Sequence, residues 1–184
     1  MTGEVSRVGF VNGLRWWWLP FLALTLFLMK ALSMVGSPLI TGAAPRGIVS
    51  YELAGSVERA NEVLNSWDED ARKHAAFSLG LDFLYIVSYA TTISVACTWA
   101  GEILKERSWA LADLGWLLAW GAWGAGLLDA VENIGLTSML LDSVLAPWPR
   151  IAFWCAIFKF ALIAIGLLYA AYGGLAWIAK RNLR

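Results

Sequence analysis

Ionisable side chains are scarce in this sequence, and so are the residues that usually hold metals. Only 15% of the 184 residues are Asp, Glu, Lys or Arg, against about a quarter in a soluble domain. One histidine, His74, and two cysteines, Cys97 and Cys155, complete the set of soft or switchable ligands. A haem held by two histidines of one chain is therefore excluded, and a zinc or iron–sulfur centre is not expected. Nor is a disulfide: Cys97 and Cys155 fall toward opposite ends of their apolar segments, beyond the short reach of such a bond. Acids and bases balance at 14 each, and no Lys/Arg cluster interleaved with aromatics points to nucleic acid. The expectation is a chain with no metal, no cofactor and no nucleic-acid partner.

Apolar residues make up 59% of the chain, with 12 Trp among them. They are gathered into runs of about 20 or more, long enough as helices to cross a bilayer core of about 30 Å. Four such segments are expected, at roughly 16–36, 71–104, 109–141 and 150–180. Arg7 and Arg15 precede the first as they would in a signal peptide. The run from Trp16 to Val35 is too long for a signal h-region, and no A-x-A site follows it, so a retained membrane helix is the expectation. Pro20 then falls in its opening turn, where a missing N–H costs least. GAWGAG at 121–126 lacks the strand and the Lys-Ser/Thr of a phosphate loop.

The only long connection runs from 37 to 70. Within it Val49, Leu53, Val57, Ala60, Leu64 and Trp67 recur at helical spacing, with Glu52, Glu58, Arg59 and Glu62 between them. That pattern predicts one amphipathic helix over about 48–65, lying on the membrane surface or over the other helices. Ser66 with Glu69 three residues on reads as a capping box for the next helix. The fold class expected is all-α: a polytopic membrane protein of one domain, a four-transmembrane-helix bundle with an extra amphipathic helix in the first outer connection.

Basic residues orient it. With the N-terminus cytoplasmic, the inner segments carry Arg7, Arg15, Lys105, Arg107, Lys180, Arg181 and Arg184, and the outer ones are acidic on balance. This satisfies the positive-inside rule and predicts a multi-pass membrane protein with N- and C-termini cytoplasmic.

Charges inside the apolar segments are the candidates for function. Asp82, Asp129, Lys159 and Lys30 all fall within about 15 Å of the outer ends of their helices at 1.5 Å per residue. Asp129, Glu132 and Asn133 share a helix face at i, i+3 and i+4. His74, Ser78, Asp82, Tyr85 and Tyr89 form a polar stripe on the second segment. A bare charge deep in lipid costs several kcal/mol, so such groups turn inward and pair. Lys159 with Asp82 or Asp129 is the expected pair, while Lys30 can snorkel outward. Gly115, Gly121 and Gly124 are expected to let helices approach closely. Trp116, Trp120 and Trp123 form a stripe read as packing or lipid contact.

Two readings of the charges stand side by side. In one, Asp82, Tyr85, Asp129, Glu132, Asn133 and Lys159 line a polar pocket near the outer leaflet that binds or processes a lipid-like amphiphile. In the other, the buried charges only fix helix register, and the chain is a non-catalytic membrane subunit or scaffold that docks a protein partner through the outer amphipathic helix. A third reading, proton-coupled transport along the stripe, is weakened by the few polar groups of the inner half and the lack of an internal repeat. No catalytic residue is assigned.

The stretches ELAGSVERANEVLNSW, SLGLDFLYIVSYA and LLDAVENIGL, with the Asp-x-x-Glu-Asn signature at 129–133, resemble those of a loose group of small bacterial four-helix inner-membrane proteins of unassigned function. The resemblance covers under half of the chain. It implies a fold and a location, but no reaction, ligand or catalytic residue.

Overall fold

The computed structural model describes the backbone of residues 2–181 and the side chains of residues 18–179. The side chains of Arg7, Arg15, Lys180, Arg181 and Arg184, used above for orientation, lie outside the described residues. The elements in chain order are α1 (Thr2–Val35), a 3-10 turn (Ser37–Leu39), α2 (Ile48–Glu52), α3 (Val57–Asn65), α4 (Glu69–Glu106), α5 (Leu114–Leu141) and α6 (Pro147–Arg181). No strand occurs among the described residues. Trp18–Val35, Glu69–Glu106, Leu114–Leu141 and Pro147–Ala179 are each long and apolar enough to cross a membrane. These four helices mark a multi-pass membrane protein by length and composition.

Pro20 lies inside α1 rather than in its first turn, because the helix continues toward the N-terminus through the polar residues before Trp16. Ser66 does not cap α4. It closes α3, donating to the Val63 carbonyl at 2.7 Å. Asp68 takes the capping role instead, its Oδ1 accepting from the Ala71 amide at 2.8 Å. The single amphipathic helix expected over 48–65 is two helices. Gly55 at φ +70° turns the chain after α2, and Ser56 starts α3 by accepting from the Arg59 amide at 3.2 Å. A side chain at Gly55 would be strained at that φ.

The chain divides into two compact units, and each of the four long helices contributes to both. The first comprises the chain up to Thr25, Ser88–Ala125 and the chain from Phe160. Its helices approach by backbone. A Cβ on Gly115 would stand 2.9 Å from the Cys97 carbonyl and 3.0 Å from the Gly101 Cα, and one on Gly173 would run into Ala100. Gly121 and Gly124, expected at close approaches, meet only Leu162 at 3.8 and 4.0 Å, so Gly101, not these two, partners Gly115. Polar groups close on one another here. Thr25 Oγ1 lies 2.8 Å from Ser88 Oγ and 3.0 Å from Thr92 Oγ1, and Tyr169 donates to the Leu111 carbonyl at 3.0 Å. α4 ends with Ser108 at φ +53° and the Trp109 amide bonded to the Leu104 carbonyl at 2.9 Å, a Schellman-type stop. Arg107 donates to the Ala176 and Trp177 carbonyls of α6. Trp116, Trp120 and Trp123 are exposed on α5, the orientation that lipid contact requires.

The second unit comprises Leu26–Val87 and Gly126–Lys159. Its core joins Leu39, Tyr51, Val63, Leu64 and Trp67 of the connection to Ala71, Ala75 and Leu79 of α4, Leu136 and Met139 of α5, and Ala152 of α6. The connection is therefore packed and tied. Trp67 Nε1 donates to the Leu39 carbonyl at 2.9 Å, Arg72 reaches back to the Leu64 carbonyl at 2.8 Å, and Arg59 reaches the Ala43 carbonyl at 2.7 Å. Tyr51 sits edge-to-face on Trp67, and its hydroxyl donates to the Leu136 carbonyl at 3.3 Å.

The contrast among glycines gives a test. Gly115→Ala should lower the stability of the detergent-solubilised protein by about 1–3 kcal/mol, because the added methyl has only backbone to displace. Gly174→Ala, with nothing within 4 Å of the new Cβ, should be neutral or slightly stabilising. Thermal unfolding of the two variants side by side measures the difference.

Candidate functional site

Lys159 is the centre of the second unit's polar interior. It stands on α6, one turn after Cys155, with only 5% of its surface exposed. Its Nζ donates to Asp129 Oδ1 at 2.6 Å and to Glu132 Oε1 at 3.0 Å. Both acids come from α5, where the i, i+3 spacing sets them one above the other on the face turned to α6. Glu132 is fully buried and Asp129 nearly so. Of the two partners expected for Lys159, Asp129 takes the position.

Asp82 is satisfied differently. Its Oδ2 accepts from Asn133 Nδ2 at 2.6 Å, so the third member of the α5 triplet holds the acid of α4. Asp82 remains within electrostatic reach of Asp129, Lys159 and Glu52. Tyr85, half-buried one turn further along α4, is within reach of Asp82, Asp129 and Lys159. Five of the six residues singled out in the sequence are thus joined in two bonded groups, Lys159 with Asp129 and Glu132, and Asp82 with Asn133, with Tyr85 within electrostatic reach. Lys30 does not join them. It is exposed on α1, which fits outward snorkelling. His74 is exposed at the start of α4. Both cysteines are free and buried.

Glu52 was not among the expected residues. In the sequence it groups with Glu58, Arg59 and Glu62 as the polar side of one long helix. In the structure it is the last residue of α2, 92% buried by its 8% exposure, with Oε2 3.6 Å from Lys159 Nζ. Glu58 and Glu62 remain exposed, and Arg59 pairs with Glu62 at 2.6 Å. The turn at Gly55 explains the difference: it breaks the helical phase, so the solvent side of α3 says nothing about the side of α2. The Gly55-Ser56 pair, a helix stop followed by an N-cap residue, was the available signal. Tyr51 sets the direction, since its hydroxyl anchors α2 to α5 and leaves the next residue facing the ammonium.

One base therefore faces three carboxyls, with a fourth nearby. Burial pushes the Glu52 carboxyl above its ordinary range; the Lys159 ammonium pulls it back only in part. Two carboxyl oxygens in the cluster, Glu52 Oε2 and Glu132 Oε2, are buried without a hydrogen-bond donor. Among the described residues no group of His, Cys, Asp and Glu is arranged to hold a metal ion; Lys159 occupies the centre of the acids.

An open groove of about 770 Å³ lies beside this cluster, lined by Leu128, Ala146, Pro147, Arg150, Ile151, Trp154, Cys155 and Phe158. None of the six expected site residues lines it. Leu128 and Cys155, neighbours of Asp129 and Lys159 along their helices, form its inner wall. Arg150, in the first turn of α6, is its one cation.

Removing the ammonium should be severe. Lys159→Met leaves the acids unneutralised and should destabilise the protein by about 3–5 kcal/mol. Asn133→Ala, which takes one hydrogen bond from a partly exposed carboxylate, should cost about 1.5–3 kcal/mol. Denaturant titration in detergent orders the two.

No protein-family model matches the chain, and neither a curated protein nor a solved structure matches it.

Proposed function

We propose that the chain is a four-span protein of the bacterial inner (plasma) membrane that binds an anionic, lipid-like amphiphile near the outer leaflet. The groove carries this reading. It joins a long apolar wall, Ile151, Trp154 and Phe158 on one face of α6, to a single cation, Arg150, at the end of that wall. An acyl chain suits the wall and an anionic headgroup suits the guanidinium, which favours planar, two-pronged contact with phosphate or carboxylate. The polar cluster is then the fixed back of the site rather than its headgroup pocket, because its members are largely bonded to one another. Cytoplasmic N- and C-termini follow from the Lys/Arg distribution and put Arg150 at the periplasmic interface.

A second reading, a non-catalytic subunit or scaffold, draws on the bonds that Asp129, Glu132 and Lys159 make to one another. In it, the exposed polar face of α3 meets a protein partner and the groove holds only bulk lipid. Exchange of Asp129 and Lys159 should then restore the stability that either single change removes.

Lipid extracted from the purified protein separates the two. Anionic lipid should be enriched over the membrane average, and Arg150→Gln should reduce that enrichment by about tenfold, the loss of one charge-assisted contact of at least about 1.4 kcal/mol. Lipid of bulk composition in the wild type, or an unchanged Arg150→Gln, would reject the amphiphile.

A further inference from the structure

Lys159 carries one positive charge, and three carboxyls converge on it. Asp129 makes the shortest contact, at 2.6 Å. Glu132 uses Oε1 on the ammonium at 3.0 Å, and its Oε2 is buried with no donor facing it. Glu52 reaches the ammonium only at 3.6 Å through Oε2, which also lacks a donor. The carboxyls of Glu52 and Glu132 lie within hydrogen-bonding reach of each other. Two ionised carboxylates in that arrangement would repel, and their dry oxygens would stay unpaired. A single proton removes both costs, because a carboxylic acid is a donor and a carboxylate an acceptor.

We propose that this cluster is a proton-binding site, in which Glu52 of α2 and Glu132 of α5 share one proton and thereby latch the connection between α1 and α4 onto the spanning helices. With that proton in place the pair carries one negative charge, and with Asp129 it faces the Lys159 ammonium of α6. From α4, Asp82 faces the site in its bond to Asn133, and Tyr85 stands within electrostatic reach. Among the described residues of α1 the one charged side chain, Lys30, is exposed. Loss of the proton sets Glu52 against Glu132 and Asp129. α2, five residues long and held to α5 through Tyr51, is the element that this repulsion loosens.

The pH dependence has a definite sign. The Glu52 carboxyl is raised in the docked state, chiefly by burial. Docking is therefore complete below the ordinary glutamate range and weakens as pH rises through the raised value. The device requires no amphiphile, so it stands or falls apart from the groove.

Infrared spectra of the full-length protein in detergent test it. A protonated-carboxyl C=O band should be present at neutral pH and should disappear in Glu52→Gln and in Glu132→Gln, while Asp82→Asn keeps it. Hydrogen exchange of residues 48–56 should lose protection by up to about tenfold per pH unit from the ordinary glutamate range up to the pH at which that band bleaches, and no further above it. Glu52→Gln, a neutral isostere, should hold its protection constant across the same range. A band absent from the wild type, a band insensitive to either substitution, or an equal pH profile in wild type and Glu52→Gln would overturn the proposal. If a variant fails to fold, the wild type alone decides: the loss of protection must level off at the pH where the band bleaches, and a loss that continues unchanged through that pH rejects the shared proton.

Discussion

A lysine ammonium buried among carboxyls sets the terms for the second unit. Leaving such a charge unpaired in a low-dielectric interior costs several kcal/mol, so each element near Lys159 is placed to serve it. α5 delivers Asp129 and Glu132 from one face. Asn133, on that same face, keeps Asp82 occupied at 2.6 Å and out of the direct contest for the ammonium. α2 brings the third acid from outside the spanning helices, which is possible only because the connection packs instead of floating. Tyr51, Trp67, Arg59 and Arg72 bond to backbone carbonyls at four points along it. Tight packing of this otherwise irregular segment is thus tied to the electrostatics of a residue more than a hundred positions away.

The first unit satisfies its polar groups by another route. Gly101 against Gly115, and Gly173 against Ala100, bring backbones into direct contact. Side chains of modest polarity then bond across at short range: Thr25 to Ser88 and Thr92, Cys97 to the Gly166 carbonyl, Tyr169 to the Leu111 and Ala112 carbonyls. Close approach and hydroxyl bonds serve where no hydrophobic drive exists between helices in lipid.

Run length made the spanning helices legible, because apolar stretches that long have few other solutions. The convergence of Asp82, Asp129, Glu132, Asn133 and Lys159 was legible too, since charge in such runs must turn inward and spacing fixes the face. Glu52 was not. Its neighbours match the polar side of a longer helix, and only the positive φ of Gly55 separates it from them. The capping of α4 was misplaced by two residues for a related reason: Ser66 and Asp68 are both acceptable caps, and the choice was settled by Trp67, which turns inward to reach the Leu39 carbonyl. Gly121 and Gly124 looked like contact points, yet composition cannot tell which glycine of a helix meets a neighbour's backbone.

The buried ion cluster also imposes an order of assembly. Chains emerge from the ribosome N-terminus first, and here Glu52, Asp82, Asp129 and Glu132 all precede Lys159. While the sixth helix is still being made, the fourth and fifth hold acids whose counter-ion does not yet exist. Those two segments must wait in a hydrated or neutral form, and the arrival of the last span completes the ionic contacts.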